Sequence, residues 1–261
     1  MSILDKIVSR KKEWVESQKQ LVPLSALQKA EMYQRSPLSL SSKISNGEGS
    51  GIIAEFKRKS PSKGNINIKA EVVEVTQGYQ QNGASAVSIL TDVDFFGGSD
   101  QDLIAARQQL SIPILRKDFI IDEYQIHEAK AMGADLILLI AACLTPAEVS
   151  SYSNLANELG LEVLLELHDD EELEHICNTV QFVGINNRSL KTFDVDVQRS
   201  LRMAAAIPSQ YIKVAESGID DPAQVRLFKE NGYQAFLIGE NFMKNTDPGS
   251  ALGEFINQIK L

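Results

Sequence analysis

A repeat running from residue 52 to the C-terminus constrains this chain more than any other feature. Short β-branched or Leu-rich runs recur at Ile52–Phe56, Ala86–Leu90, Ile112–Leu115, Asp135–Ile140, Leu161–Leu167, Gln181–Ile185, Tyr211–Ala215 and Gln234–Ile238. Their starts lie roughly 20 to 34 residues apart, room in each interval for one crossover helix between parallel strands. The intervening segments carry helix-start signals. Thr145-Pro146-Ala147-Glu148 offers a threonine cap with proline in the first turn, and Asp220-Asp221-Pro222 offers the same with aspartate. Gly83, Gly133, Gly160 and Gly232 fall where such a helix ends before the next strand.

Strands that are nearly all apolar belong to a parallel sheet covered on its outer face. Eight strand–helix units in about 210 residues fit a closed barrel better than an open doubly wound sheet. The open sheet with nucleotide-binding loops would carry GxGxxG at its first strand–helix turn, and none is there. The expected fold class is therefore α/β, a single (β/α)8 TIM barrel with an N-terminal helical extension. One domain is expected to span residues 1–261, with residues 1–50 forming the helical extension and a loop. In that extension Leu4, Ile7, Val8 and Val15 sit at roughly helical spacing with Lys and Glu opposite. The spacing predicts a mostly helical segment from residue 3 to about 32, interrupted at Pro23, with one face on a larger body. A helix that docks a partner is the alternative. Residues 36–50, rich in Ser, Gly and Asn, read as a loop.

Composition narrows the partners. Of the 261 residues 43% are hydrophobic, enough for a sizeable core, and the net charge of −9 argues against nonspecific nucleic-acid binding. No run approaches the roughly 20 apolar residues of a membrane span, and charges interrupt the N-terminus where a signal peptide needs an apolar stretch. A cytoplasmic protein without membrane partners is expected. Cys143 and Cys177 lack CxxC spacing and read as free thiols in a reducing compartment. His127, His168 and His175 form no HxH or HExxH pattern, so no metal site is expected. His127 and His175 read as surface residues on helices, His168 as a weak candidate for an orienting role.

In a barrel of this kind the chemistry gathers at the C-terminal ends of the strands. The first end is the richest: Ile52-Ile53-Ala54-Glu55-Phe56-Lys57 places a carboxylate and an ammonium at i and i+2, on one face of a strand, followed by Arg58, Lys59, Ser60 and Lys63. The second runs into a loop with Phe95 and Phe96; the third gives Arg116-Lys117-Asp118-Phe119; the fourth is apolar. The fifth gives Glu166 and His168, the sixth Asn186-Asn187-Arg188, the seventh Glu216-Ser217-Gly218 and the eighth Gly239-Glu240-Asn241. Lys117 and Glu166 are suited to serve as acid and base across a barrel mouth, or to form a structural ion pair there. Phe96 and Phe119, with Leu138 or Leu190, could line a slot for a flat ring, whereas Phe95 reads as packing. The last two ends suit a phosphate, because glycine allows close backbone approach and exposed N–H groups favour an anion. The Glu240 carboxylate would repel a phosphate, so only its backbone N–H is expected to take part.

Five of these segments together resemble the motifs of the indole-3-glycerol-phosphate synthase family. They are Ile53-Ala54-Glu55-Phe56-Lys57-Arg58-Lys59-Ser60-Pro61-Ser62, Leu115-Arg116-Lys117-Asp118-Phe119, Gly184-Ile185-Asn186-Asn187-Arg188, Ala215-Glu216-Ser217-Gly218-Ile219 and Ala235-Phe236-Leu237-Ile238-Gly239. The resemblance runs from about residue 3 to the C-terminus. It implies ring closure, decarboxylation and dehydration of 1-(2-carboxyphenylamino)-1-deoxyribulose 5-phosphate to indole-3-glycerol phosphate in tryptophan biosynthesis, the work of a carbon–carbon lyase that needs no cofactor.

By that resemblance Lys117 is the general acid, Glu166 and Glu55 handle later proton transfers, and Lys57 binds the substrate carboxylate. Asn186 and Arg188 support the site. Phe96, Phe119 and Leu190 hold the anthranilate ring. Ser217, Gly218 and Gly239 face the phosphate, with Ser60, Leu237 and Glu240 also on the substrate-binding side. The expected partner is one phosphorylated small molecule, and the expected state a monomer. Two alternatives remain from the residues alone: a phosphate-binding barrel isomerase of an aminosugar phosphate, and a non-catalytic barrel that binds a phosphometabolite.

Overall fold

The computed structural model of the chain describes residues 2–188 and 194–259. Eight parallel strands close into a barrel: β1 (Ile52–Phe56), β2 (Ala86–Leu90), β3 (Ile114–Lys117), β4 (Leu136–Ile140), β5 (Glu162–Leu167), β6 (Phe182–Asn186), β7 (Ile212–Glu216) and β8 (Tyr233–Ile238). Each strand pairs with its neighbours in sequence, and β1 closes the ring against β8 with Ile53 opposite Leu237. β1 and β2 have the expected bounds. β3 begins and ends two residues later than the apolar run, which carries the strand through Arg116 and Lys117.

Period-two alternation divides every strand between two cores. Ile53, Leu115, Leu138, Leu164, Phe182, Val214 and Leu237 fill the lumen. Ile52, Ala54, Phe56, Ile137, Leu165, Val183 and Ala215 face the surrounding helices. The same alternation sends Glu55, Lys117, Glu166, Asn186 and Glu216 inward, two or four residues beyond a lumen residue. The lumen is therefore apolar at its base and charged at its mouth.

Arg116, between Leu115 and Lys117, takes the opposite face and does not reach the mouth. Fully buried behind the barrel, it donates to Glu128 at 2.6 Å and to the Gln125 carbonyl at 2.8 Å. Burial pushes the Glu128 carboxyl up to about 7 against the pull of that guanidinium.

The N-terminal extension reaches both ends of the barrel. α1 (Ile3–Leu21) starts with a capping box between Ser2 and Asp5 and stops just before Pro23, which opens a single turn at Leu24–Leu27. It packs on the barrel as the spacing predicts. Its buried Lys11 lies 3.0 Å from Asp92 and 2.7 Å from Asp118, so the helix is tied to the loops after β2 and β3. The expected loop at residues 36–50 is corrected in one respect: it contains α2 (Leu40–Ser45), capped by Ser39. The helix forms because it has tertiary partners. Leu40 is fully buried in the base of the lumen with Ile44 against the same cluster, and Glu162 at the start of β5 accepts from Ser39 Oγ and Leu40 N.

One of the two histidines read as surface residues departs from expectation. His175 is buried, its Nε2 being 2.9 Å from the Leu144 carbonyl, because the turn Asp170–His175 folds back on the loop after β4. His127 is half-buried, with Nδ1 2.6 Å from Tyr33 Oη. The His175 ring thus serves packing between segments, while His127 stays partly exposed on its helix.

Candidate active site

The charged end of the lumen opens into a cavity of about 530 Å³. Its centre is Lys117, the last residue of β3. The ammonium lies 3.4 Å from Glu166 Oε2, 3.9 Å from Glu216 Oε2 and 4.0 Å from Glu55 Oε2. Lys57, just past β1, pairs with Glu55 at 2.5 Å. Asn186, ending β6, donates to Glu166 Oε1 at 2.9 Å, and its own Oδ1 accepts from the Arg188 backbone at 3.0 Å.

Three carboxylates against two ammoniums in a buried mouth set the protonation states. Burial alone would lower the Lys117 pKa, but the charges of Glu166, Glu216 and Glu55 outweigh it and hold the ammonium above the ordinary lysine value. Burial would raise Glu166; Lys117 and His168 reverse that and keep it an ionised carboxylate. Glu216 goes the other way. Burial and the neighbouring Glu166 charge push it well above the normal carboxyl range. Two adjacent carboxylates cannot both ionise cheaply, so one takes the proton.

Glu216 is the member of this cluster that the sequence reading quoted in a motif but gave no role. It follows Val214 at the strand period, the one available signal. Space for it comes from Gly184 on β6, where a Cβ would clash with Glu216 Oε1. Gly239 does the same for Glu55, since a Cβ there would stand 2.5 Å from Glu55 Oε1. Neither oxygen of Glu216 has a hydrogen-bond partner among the described residues.

Around the charged centre the walls divide by chemistry. Phe96 and Phe119 line one side with ring centroids 6.0 Å apart, and Leu138 and Leu237 lie deeper. Phe95 is not part of the lining. Leu190 lies outside the described residues. On the opposite side Ser217 and Gly218 both adopt left-handed backbone, at φ 66° and 67°. For a serine this is strained. The buried Asn187 holds the turn by donating to the Ser217 carbonyl at 2.7 Å.

Gly239, Ser60 and Glu240 complete that side of the cavity. The Glu240 side chain is partly exposed at the rim, 3.5 Å from Lys63 Nζ and 3.8 Å from Arg188 Nη2. Ile3, Leu4 and Ile7 of α1 also line the cavity, so the extension supplies part of the site. Helical periodicity identified that apolar face but not what it covers. Apart from Leu190, and from His168, which lies behind Glu166, every residue singled out from the sequence for the site meets in this one mouth.

The family model described as indole-3-glycerol phosphate synthase matches residues 4–255. An indole-3-glycerol phosphate synthase of Bacteroides thetaiotaomicron is 46% identical over 258 residues, covering 99% of each chain. One from Acinetobacter baylyi is 46% identical over 213 residues, covering 81% of this chain and 80% of its own. A solved structure titled "Native KDPGal structure" superposes with a TM-score of 0.57 at 16% identity, covering 80% of this chain and 92% of that one, a likeness of fold alone. A match of this length and identity, over a barrel whose mouth gathers the family's motif residues, leaves one conclusion: the chain belongs to the indole-3-glycerol phosphate synthase family.

Proposed function

We propose that the protein is an indole-3-glycerol-phosphate synthase, a carboxy-lyase acting in tryptophan biosynthesis on 1-(2-carboxyphenylamino)-1-deoxyribulose 5-phosphate. The observation that carries this reading is the Lys117 ammonium held within 4.0 Å of Glu55, Glu166 and Glu216 at the mouth of a cavity with an aromatic wall. Joining an aromatic ring carbon to a ketone develops an alkoxide, and a buried ammonium both stabilises and protonates it. Lys117 fills that role. Ring attack leaves a cationic iminium, which takes up the electron pair released as carbon dioxide departs. Dehydration then needs a proton for the leaving hydroxide and an acceptor for the proton lost from the adjacent carbon; the products are indole-3-glycerol phosphate, carbon dioxide and water.

Glu166, ionised and beside Lys117, suits the acceptor. Glu216, which the site drives toward its protonated form, suits the donor, with Glu55 also within 4.0 Å of Lys117. Lys57 lies where it can exchange its Glu55 partner for the substrate carboxylate. Phe96 and Phe119 suit the anthranilate ring, while Ser217, Gly218 and Gly239 offer backbone for the phosphate. Purified protein given this substrate is expected to release carbon dioxide and a fluorescent indole in equal amounts. Folded protein that releases neither would remove the assignment.

A further inference from the structure

β5 ends at Leu167, and His168 is the first residue beyond it. The chain then turns through Asp170–His175 and brings Glu172 back toward the imidazole. His168 is buried and does not line the cavity, so it cannot touch a substrate there. Its Nε2 stands 3.0 Å from Glu166 Oε1, and its Nδ1 stands 3.8 Å from Glu172 Oε2. Glu172 is anchored in turn by the His168 backbone N–H, which donates to it at 2.6 Å. The ring thus lies between two carboxylates, one in the active site and one behind it.

We propose that His168 is a positioning residue that makes Glu166, and not Glu216, the ionised member of their pair. Oxygen Oε1 of Glu166 accepts from Asn186 and lies at ion-pair distance from His168 Nε2, while Oε2 is the oxygen nearer Lys117. The two buried carboxylates compete for one proton, and a cation against Glu166 alone adds to the pull of Lys117 and leaves that proton on Glu216. Burial would discharge the imidazole, yet Glu166 and Glu172 outweigh it and raise it to about 9, so it is an imidazolium through the neutral range. The other titratable groups nearby do not compete. The Cys143 thiol, beside the same carboxylates, is pushed up to about 12 by burial and by their charges, and Lys117 and Glu216 face the far side of Glu166.

The inference rests on the synthase reading, and its test separates the two. His168→Gln, His168→Leu and Glu172→Gln in the full chain are compared with the parent protein by indole fluorescence across pH. Removing the imidazolium raises the proton affinity of Glu166, so the acidic limb of kcat should move to higher pH. With His168→Leu kcat should fall about 10- to 100-fold, the range for outer groups that orient a functional side chain, with KM changed less than about twofold. His168→Gln, which keeps a donor, should recover part of kcat but not the acidic limb. Glu172→Gln should move the same limb by a smaller amount. Circular dichroism checks folding; if His168→Leu does not fold, His168→Gln and Glu172→Gln carry the test. Folded His168→Gln with an acidic limb superimposable on the parent's would overturn the inference, whereas an inactive parent protein would overturn the reaction assignment instead.

Discussion

The Lys117 ammonium stands 3.4 Å from one oxygen of Glu166 while Asn186 holds the other. This fork fixes which carboxylate oxygen meets the ammonium. Lys117→Ala should lower kcat by at least about 100-fold, the lower end for loss of a general acid, while substrate affinity changes only severalfold. Steady-state turnover together with calorimetric titration of the substrate measures both. A variant turning over at near the parent rate would take the acid role from Lys117.

Glu216 carries a sign that can be checked by stability alone. Its carboxyl is shifted upward on folding from the ordinary glutamate value of about 4.5. The folded state therefore holds this proton more tightly than the unfolded chain does. Its favourable contribution is complete below about pH 4.5 and is lost as pH rises toward the folded value. Glu216→Gln, which mimics the protonated form, should show a Tm gain over the parent that grows from pH 5 to pH 8. A gain that shrinks over that interval would mean Glu216 is ionised in the fold.

Leu40 tests the base of the barrel. It is fully buried in the lumen cluster, delivered there by a six-residue helix. Leu40→Ala should cost about 2–5 kcal/mol, as large-to-small changes in packed cores do. Urea unfolding gives the value directly, and a loss under about 0.5 kcal/mol, typical of a surface site, would show that the plug contributes little.

Glu240 sits between Lys63 and Arg188 at the rim of the mouth, on the side proposed for the phosphate. A substrate phosphate must compete with this carboxylate for the same cations. Glu240→Gln should therefore lower KM by about two- to fivefold, what an exposed ion pair of up to about 1 kcal/mol permits, with kcat little changed. The effect should shrink at high salt, where exposed charges are screened. A higher KM would mean the carboxylate assists binding.

Much of this architecture was legible in the linear chain because the rules behind it are local. Eight apolar runs, each long enough for a strand and spaced for a crossover helix, dictate a closed parallel barrel. Period two then dictates that Glu55 and Lys57 share a face, and that Lys117 and Arg116 do not. What escaped the sequence depended on partners far along the chain. Ser39 to Ser45 has no helical signal strong enough to stand alone, and it becomes a helix because Glu162 and the lumen floor receive it. His175 is polar by type yet buried, because the Leu144 carbonyl satisfies its ring.

The active-site electrostatics divide in the same way. The residue types at the strand ends, and hence the presence of acid, base and cation, are determined by sequence and strand period. Their protonation states are not. Glu166 and Glu216 are the same residue type at equivalent strand ends, and they are driven in opposite directions by a lysine on one strand, a histidine on another and a shared burial. A pKa depends on distances between side chains and on exclusion of water, quantities that exist only once the barrel has closed.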